Sequence, residues 1–173
     1  MPLNLLKKYP ELLELASYTP QDRNECLHRI YQRDIEGYDL FFRKARIYPT
    51  KNENDGTTFA THFAHLTTKE FEETNELGEI VKKRSFDMFR SIRLHWVRAH
   101  IEEITNEPDI LVFSNEYPHI RTYIWNKKEK YVVILEPQRK PNSYYLLTAY
   151  YLNEKKSIKQ MESKYKKRMS KVV

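Results

Sequence analysis

Residues 120–135 read IRTYIWNKKEKYVVIL, and this stretch decides the fold. Ile120, Tyr123 and Trp125 lie in one β-rich run, and Asn126-Lys-Lys-Glu-Lys closes it as a polar turn. Tyr131–Leu135 is a second run, apolar almost throughout, the pattern of a strand covered on both faces. A connection this short joins antiparallel neighbours, because parallel strands need a long crossover.

Working outward, Ile110–Phe113 is a β-branched-rich run upstream. Downstream, the polar, proline-containing turn Gln138–Asn142 leads into a fourth strand, Tyr144–Tyr150. Four strands with short connections make an antiparallel meander. Before them, Asp87 caps a helix that carries Phe89, Ile92, Trp96 and Ile101 on one broad face. After them, Ile158, Met161, Tyr165 and Met169 recur at helical spacing opposite a row of lysines. The expected fold is α+β: N-terminal helices, then a helix packed on a four-stranded antiparallel sheet, with a basic C-terminal helix. Both helices are expected on one face of the sheet, leaving the other partly open for a site.

The first half is less sharply patterned. Thr19-Pro20 starts a helix that runs to about Asp34. An extended stretch follows near Ala45–Tyr48, and Lys51–Gly56 reads as a polar loop. Phe59, Thr61 and Phe63 alternate as in a half-buried strand. Thr67 with Glu70 fits a capping box and predicts a helix start, and Glu76–Lys83 reads as irregular. The expected organisation is an N-terminal helical extension over 1–56 and an α+β domain over 57–173.

The chain has 173 residues, 40% of them hydrophobic and 13% aromatic, enough apolar material for a core. No apolar run approaches the length that crosses a bilayer. The opening MPLNLLKKYPELLELA is broken by Lys7, Lys8, Glu11 and Glu14 and reads as a mature helix or helix pair rather than a leader. The single cysteine, Cys26, has no intramolecular disulfide partner, and a reducing cytoplasm is the expected compartment. The net charge of +6 is uneven. Residues 151–173 hold eight Lys/Arg and two Asp/Glu, whereas residues 1–150 hold twenty-two of each. The whole excess therefore sits in the last segment, which suits a phosphate-rich partner. The bland alternative is a solvated helix face that keeps the protein soluble.

Three constellations carry chemistry. In Arg90-Ser-Ile-Arg93-Leu-His95-Trp96 the two arginines lie three apart, so on a helix they share a face and can fork onto one phosphate. On the fourth strand, Thr148 and Tyr150 project to one face with Leu146, a hydroxyl pair suited to a phosphate or to proton donation. Strand propensity alone also explains these two residues. His62-Phe-Ala-His65, with His95 and His100, offers acids or bases near neutral pH. A strand would turn His62 and His65 to opposite sides, which argues against a shared metal. Three glycines in the whole chain leave no phosphate loop, dinucleotide fingerprint or nucleophile elbow. Cys26 has no base specified nearby and is not read as a nucleophile.

Taken together, FDMFRSIRLHWVRAHIEE, HIRTYIWNKKEKYVVILE, YYLLTAYYL and KQMESKYKKR resemble the phage-associated nucleases of the barnase–EndoU–colicin–RelE group. FATHFAHLTT extends the likeness, which covers residues 57–168. The resemblance implies metal-independent cleavage of RNA, with no cofactor, by attack of the RNA's own 2′-hydroxyl on the adjacent phosphate to leave a 2′,3′-cyclic end. It implies a toxin or phage-related ribonuclease, met by an antitoxin or immunity protein. Carried onto this chain, it assigns Arg93, Arg121, Thr148 and Tyr150 to catalysis. It assigns Arg90, Trp96, Lys164 and Tyr165 to substrate binding, and specifies no general base. Two other readings use the same features: a nucleic-acid-binding module without chemistry, and an interaction module docking through Leu3, Leu5, Leu6, Leu12, Leu13 and Leu15.

Overall fold

The computed structural model describes residues 2–51, 58–104 and 106–173. Most of the expected Lys51–Gly56 loop, and the expected boundary at 56/57, lie outside the described residues. The elements in order are α1 (Pro2–Leu6), α2 (Pro20–Tyr31), β1 (Leu40–Phe42), β2 (Ala45–Tyr48), α3 (Phe59–Thr67), β3 (Thr68–Thr74), β4 (Ile80–Phe86), α4 (Met88–Ser91), α5 (Trp96–Arg98), β5 (Ile110–Asn115), β6 (Arg121–Asn126), β7 (Tyr131–Pro137), β8 (Ser143–Tyr151) and α6 (Lys155–Lys166). Helix α2 runs into a π-helical turn, Gln32–Glu36, and α5 into another, Ala99–Glu103.

The antiparallel meander β5–β6–β7–β8 is present, but the sheet is larger and of different character than expected. It has six strands in the order β1-β2-β8-β7-β6-β5, and it is mixed. Strand β2 runs parallel to β8, pairing Arg46 with Ser143 and Tyr48 with Tyr145. The four-stranded, purely antiparallel expectation is thus corrected. The two added strands form a hairpin whose turn residues Arg43 and Lys44 both have positive φ, 47° and 71°. Two left-handed residues in succession are the turn that best matches strand twist. Here they are built without the Asn-Gly pair that usually signals it.

Three further expectations change in the first half, one being the irregular reading of Glu76–Lys83, whose last part lies in strand β4. Residues Phe59–Thr67 form helix α3, not a strand. Thr58 caps it by accepting from Thr61 N, and His62, Phe63, Leu66 and Thr67 are its buried positions, at helical spacing. Thr67 and Glu70 start no helix: β3 and β4 form a separate two-stranded hairpin in which Glu70 faces Arg84 and Glu72 faces Lys82. Its turn is held by Asn75, whose Oδ1 accepts from Leu77 N and Glu79 N, and by Gly78 at φ 79°. Every residue of this hairpin is partly or fully exposed.

Helices cover both faces of the large sheet. On one face Ile124, Tyr131, Val133, Leu135, Leu146 and Ala149 pack with residues from α2, α3 and the Leu94–Val97 stretch. Leu13 and Leu15 are buried in the same core, tied there by Leu13 N donating to Ile92 O at 3.0 Å. On the other face Phe113, Tyr123, Trp125, Val132 and Ile134 pack against Leu152 and Met161, flanked by Ile158 and Tyr165 of α6. The two helices expected together on one face are therefore divided between the two. Helix α6 ends at Lys166, short of Met169, whose N donates instead to Ser114 O of β5 at 2.8 Å.

Candidate functional site

The site is built where β8 loses its neighbour. Strand β2 pairs with β8 only over Ser143–Tyr145, and beyond that point α3 and α4 take over the edge. His62 of α3 makes the junction: its Nε2 donates to Leu146 O at 2.7 Å, while Nδ1 accepts from the Tyr31 hydroxyl at 2.8 Å. Both ring nitrogens are thereby satisfied by the fold, and burial lowers the His62 pKa to about 4. His62 is a structural histidine.

A bulge sets the side chains beyond it. The β7–β8 register slips between Ile134, which faces Thr148, and Leu135, which faces Leu146, so Leu147 is the extra residue. Leu146 consequently turns into the first core, whereas Leu147 and Tyr150 pack on the second. The expected grouping of Leu146 with Thr148 and Tyr150 is corrected by this one inserted residue. Thr148 shares a rung with Ile134 and Tyr123, and Tyr150 shares one with Val132 and Trp125.

Arg90 reaches this face from α4. Its Nη1 donates to His65 O at 2.7 Å and lies 3.5 Å from Thr148 Oγ1. Its guanidinium carbon stands 5.1 Å from the centre of the Tyr150 ring, within reach of a cation–π attraction. Asp87, which caps α4 by accepting from Arg90 N at 3.1 Å, also faces the side chain, with Nε to Oδ2 at 3.7 Å. Arg121 opens β6 opposite Asn115. Its Nε is buried with no hydrogen-bond partner among the described residues. Burial raises the Tyr150 pKa, as does Tyr123, while Arg90 and Arg121 act against them. The phenol thus stays protonated at neutral pH. Lys164 of α6 joins from the opposite side, its Nζ 5.8 Å from the Tyr123 ring centre.

Two groups at the rim complete the picture. His65 is half-buried, and burial together with the charges of Arg84 and Arg90 lowers its pKa, so its neutral form dominates at neutral pH. Arg84, on β4, is anchored by donating to Thr68 Oγ1 at 2.8 Å and Thr68 O at 3.1 Å. Arg84 is a cation that sequence reading passed over, because the hairpin bearing it has no apolar alternation.

The residues expected to act together are thus partly assembled. Arg90, Arg121, Thr148, Tyr150 and Lys164 share the neighbourhood of the second face. Arg93 and Trp96 do not join it. Arg93 is 8% exposed, donates to Phe89 O at 2.9 Å, and lies over the rings of Tyr151 and Trp96. Tyr151 pairs with Tyr131, a first-core residue, so Arg93 belongs to that side. Trp96 is buried in the first core with its Nε1 donating to Glu11 O at 3.0 Å, leaving no ring face to stack on a base. Tyr165 packs its ring against Phe113, with centroids 5.2 Å apart, and serves mainly to seat α6. Among the described residues, no group of three or more His, Cys, Asp or Glu is arranged to hold a metal ion. Nor is any helix among them long and apolar enough to cross a membrane.

Comparison of the chain with protein-family models, with curated proteins and with solved structures finds no match.

Proposed function

We propose that this chain is a metal-independent endoribonuclease that cleaves RNA by 2′-hydroxyl attack. The observation that carries the reading is the placement of Arg90. One guanidinium holds the carbonyl of His65, reaches Thr148 and lies over Tyr150, and the charge of Arg121 also acts on Tyr150. Two cations, a hydroxyl and a protonated phenol thus surround one place, and the neutral imidazole of His65 at the rim feels the charge of Arg90.

Each group has a task in that chemistry. His65, neutral at working pH, accepts the proton of the 2′-hydroxyl as its oxygen bonds to phosphorus. Arg90 and Arg121 stabilise the added charge on the phosphoryl oxygens. The P–O5′ bond breaks as Tyr150 gives its proton to the leaving 5′-oxygen. The products are a 2′,3′-cyclic phosphate and a 5′-hydroxyl, and solvent returns the proton from His65 to Tyr150. Thr148 positions the phosphate. Lys164 and the lysines of α6 draw in the flanking backbone.

The test is cleavage of total RNA and tRNA by the purified chain in excess EDTA, with the new ends identified by phosphorus NMR. Cyclic phosphate ends are expected, with activity lowered at least about a hundredfold by Tyr150→Phe or His65→Ala, the usual range for loss of an acid or base. RNA left intact, or cleaved to 3′-hydroxyl ends, would sink the proposal. A second reading, binding without chemistry, draws on the exposed lysines of α6. It expects affinity for single strands with a log–log salt slope near −0.7 per phosphate contacted, and no products. In both readings, neutralising Lys164, Lys166, Lys167 and Arg168 together flattens that slope.

A further inference from the structure

A cavity of about 380 Å³ opens between the segment Leu5–Tyr9, the π-helical turn after α2, and α5. This is the size range of small-molecule sites. None of Arg90, Arg121, Thr148 or Tyr150 lines it. Its polar lining comes mainly from Lys7, Lys8, Arg33, Asp34, His95 and Arg98.

The charges there are unequal. Buried Asp34 accepts from Arg33 Nε at 2.8 Å and from its Nη2 at 2.5 Å, and Arg98 Nη1 lies 3.6 Å from the same carboxylate. Arg98 Nε also lies 3.5 Å from Glu102. Lys7 is matched by Glu14 at 2.7 Å and Glu11 at 3.9 Å. The ammonium of Lys8 has no ion pair among the described residues. Of the lining residues themselves, Lys7, Lys8, Arg33 and Arg98 are cations and Asp34 is a carboxylate, while Glu11, Glu14 and Glu102 reach Lys7 and Arg98 from outside the lining. Asp34 fixes the arginines in place without neutralising the wall.

His95 supplies the second requirement. Its Nε2 lies 3.0 Å from Glu11 O, and a carbonyl oxygen only accepts, so Nε2 carries the proton. Nδ1 is left as a lone-pair acceptor. His95 is 5% exposed, and Nδ1 is buried with no partner among the described residues. Burial lowers its pKa to about 4, so the imidazole stays neutral, with the charges of Asp34, Arg33 and Glu11 also acting on it. A cationic rim calls for an oxyanion, and a buried acceptor calls for a donor on the same molecule.

We propose that this cavity binds a small hydroxylated phosphate, a sugar phosphate or mononucleotide by chemical class. Arg98 and Lys8 hold the phosphate, and a ligand hydroxyl donates to His95 Nδ1. A forked guanidinium and a point-charge ammonium together suit a group bearing several anionic oxygens. This assignment stands apart from the proposed RNA site and does not depend on it.

The test is calorimetric titration of the full chain with ribose 5-phosphate, ribose and inorganic phosphate, alongside nitrogen NMR of labelled histidine. Ribose 5-phosphate is expected to bind about tenfold or more tighter than either fragment. Its binding should move the His95 Nδ1 resonance in the direction of an accepted hydrogen bond. Arg98→Gln is expected to weaken binding about tenfold. Lys8→Ala, at an exposed position that leaves the fold intact, is expected to weaken it in the same direction. Arg121→Ala, which lies outside the cavity, is expected to leave the affinity for ribose 5-phosphate unchanged. Absence of saturable binding up to roughly 10 mM would overturn the proposal. So would equal affinity for inorganic phosphate, an unmoved His95 resonance, or a loss caused by Arg121→Ala.

Discussion

His62 shows how a single side chain can look catalytic and be structural. Its two nitrogens are spent on Leu146 O and the Tyr31 hydroxyl, and its pKa falls to about 4 because burial penalises the charged ring. The unfolded chain takes up a proton near pH 6.5, and the folded chain refuses it until about pH 4. Stability is therefore full above pH 6.5, falls through that window and levels off below it. For His62 the loss approaches roughly 3 kcal/mol, at 1.36 kcal/mol per pKa unit. His95 and His100, also lowered to about 4 by burial, add in the same direction. Urea melts between pH 7 and pH 4 should show stability dropping steeply with acid. His62→Gln keeps a donor for Leu146 O, and should remove about a third of that slope, since one of three such histidines no longer titrates. An unchanged slope would mean that His62 is not held neutral. His65, three residues on, is more exposed and has Arg84 and Arg90 as neighbours, and that difference separates a packing group from a candidate base.

The β1–β2 hairpin poses the problem one level up. Arg43 and Lys44 both adopt left-handed backbone, a conformation costing an ordinary residue about 1–2 kcal/mol, which Asn and Gly largely avoid. Replacing Arg43-Lys44 by Asn-Gly should raise stability by about 1 kcal/mol, read as a melting temperature higher by about 2–4 °C for a domain of this size. A decrease would show that the Arg43 guanidinium over the Phe42 ring, 5.2 Å away, outweighs the backbone gain. The same turn explains what was legible in the sequence. The meander β5–β8 could be read because its runs are apolar and its turns polar. Strand β1 could not, because its turn lacks the residues that announce one. The β3–β4 hairpin was hidden for another reason: its strands set opposite charges across from each other, Glu70 facing Arg84 and Glu72 facing Lys82, and bury no apolar face. Phe59–Thr67 was misread because Phe59, Thr61 and Phe63 mimic a period of two. Its buried set, His62, Phe63, Leu66 and Thr67, follows the helical period instead. Of the candidate site, Arg90, Arg121, Thr148 and Tyr150 are the residues that motif order names and that the fold brings near one another. The separation of Arg93 and Trp96 from them depends on the kinked α4–α5 stretch and on the Leu147 bulge, neither of which leaves a residue-type signal.

At the scale of the whole molecule, the first 35 residues decide between two pictures. If they were a docking surface, the rest of the chain would fold without them. Leu13, Leu15, Cys26, Leu27, Ile30, Tyr31 and Ile35 are all buried in the first core, against the sheet and against Trp96 and Leu94. Burial of one such aliphatic side chain contributes about 1.5–3 kcal/mol, so together they are comparable with the whole 5–15 kcal/mol that typically holds a domain folded. Removing them also strips the Glu11 carbonyl from Trp96 and His95, and the Tyr31 hydroxyl from His62. A chain starting at residue 36 should therefore lack near-ultraviolet circular dichroism and a cooperative melt. Leu3 and Leu6, at 72% and 73% exposure, are a different case. The double variant Leu3→Ser/Leu6→Ser should melt within about 0.5 kcal/mol of the parent, because neither side chain is buried. If that variant changed the sedimentation of an otherwise folded protein, the exposed leucines would be an interaction surface. If the chain from residue 36 folded cooperatively, the N-terminal segment would be an appendage, and the six-stranded sheet would owe its stability to α3, α5 and α6 alone.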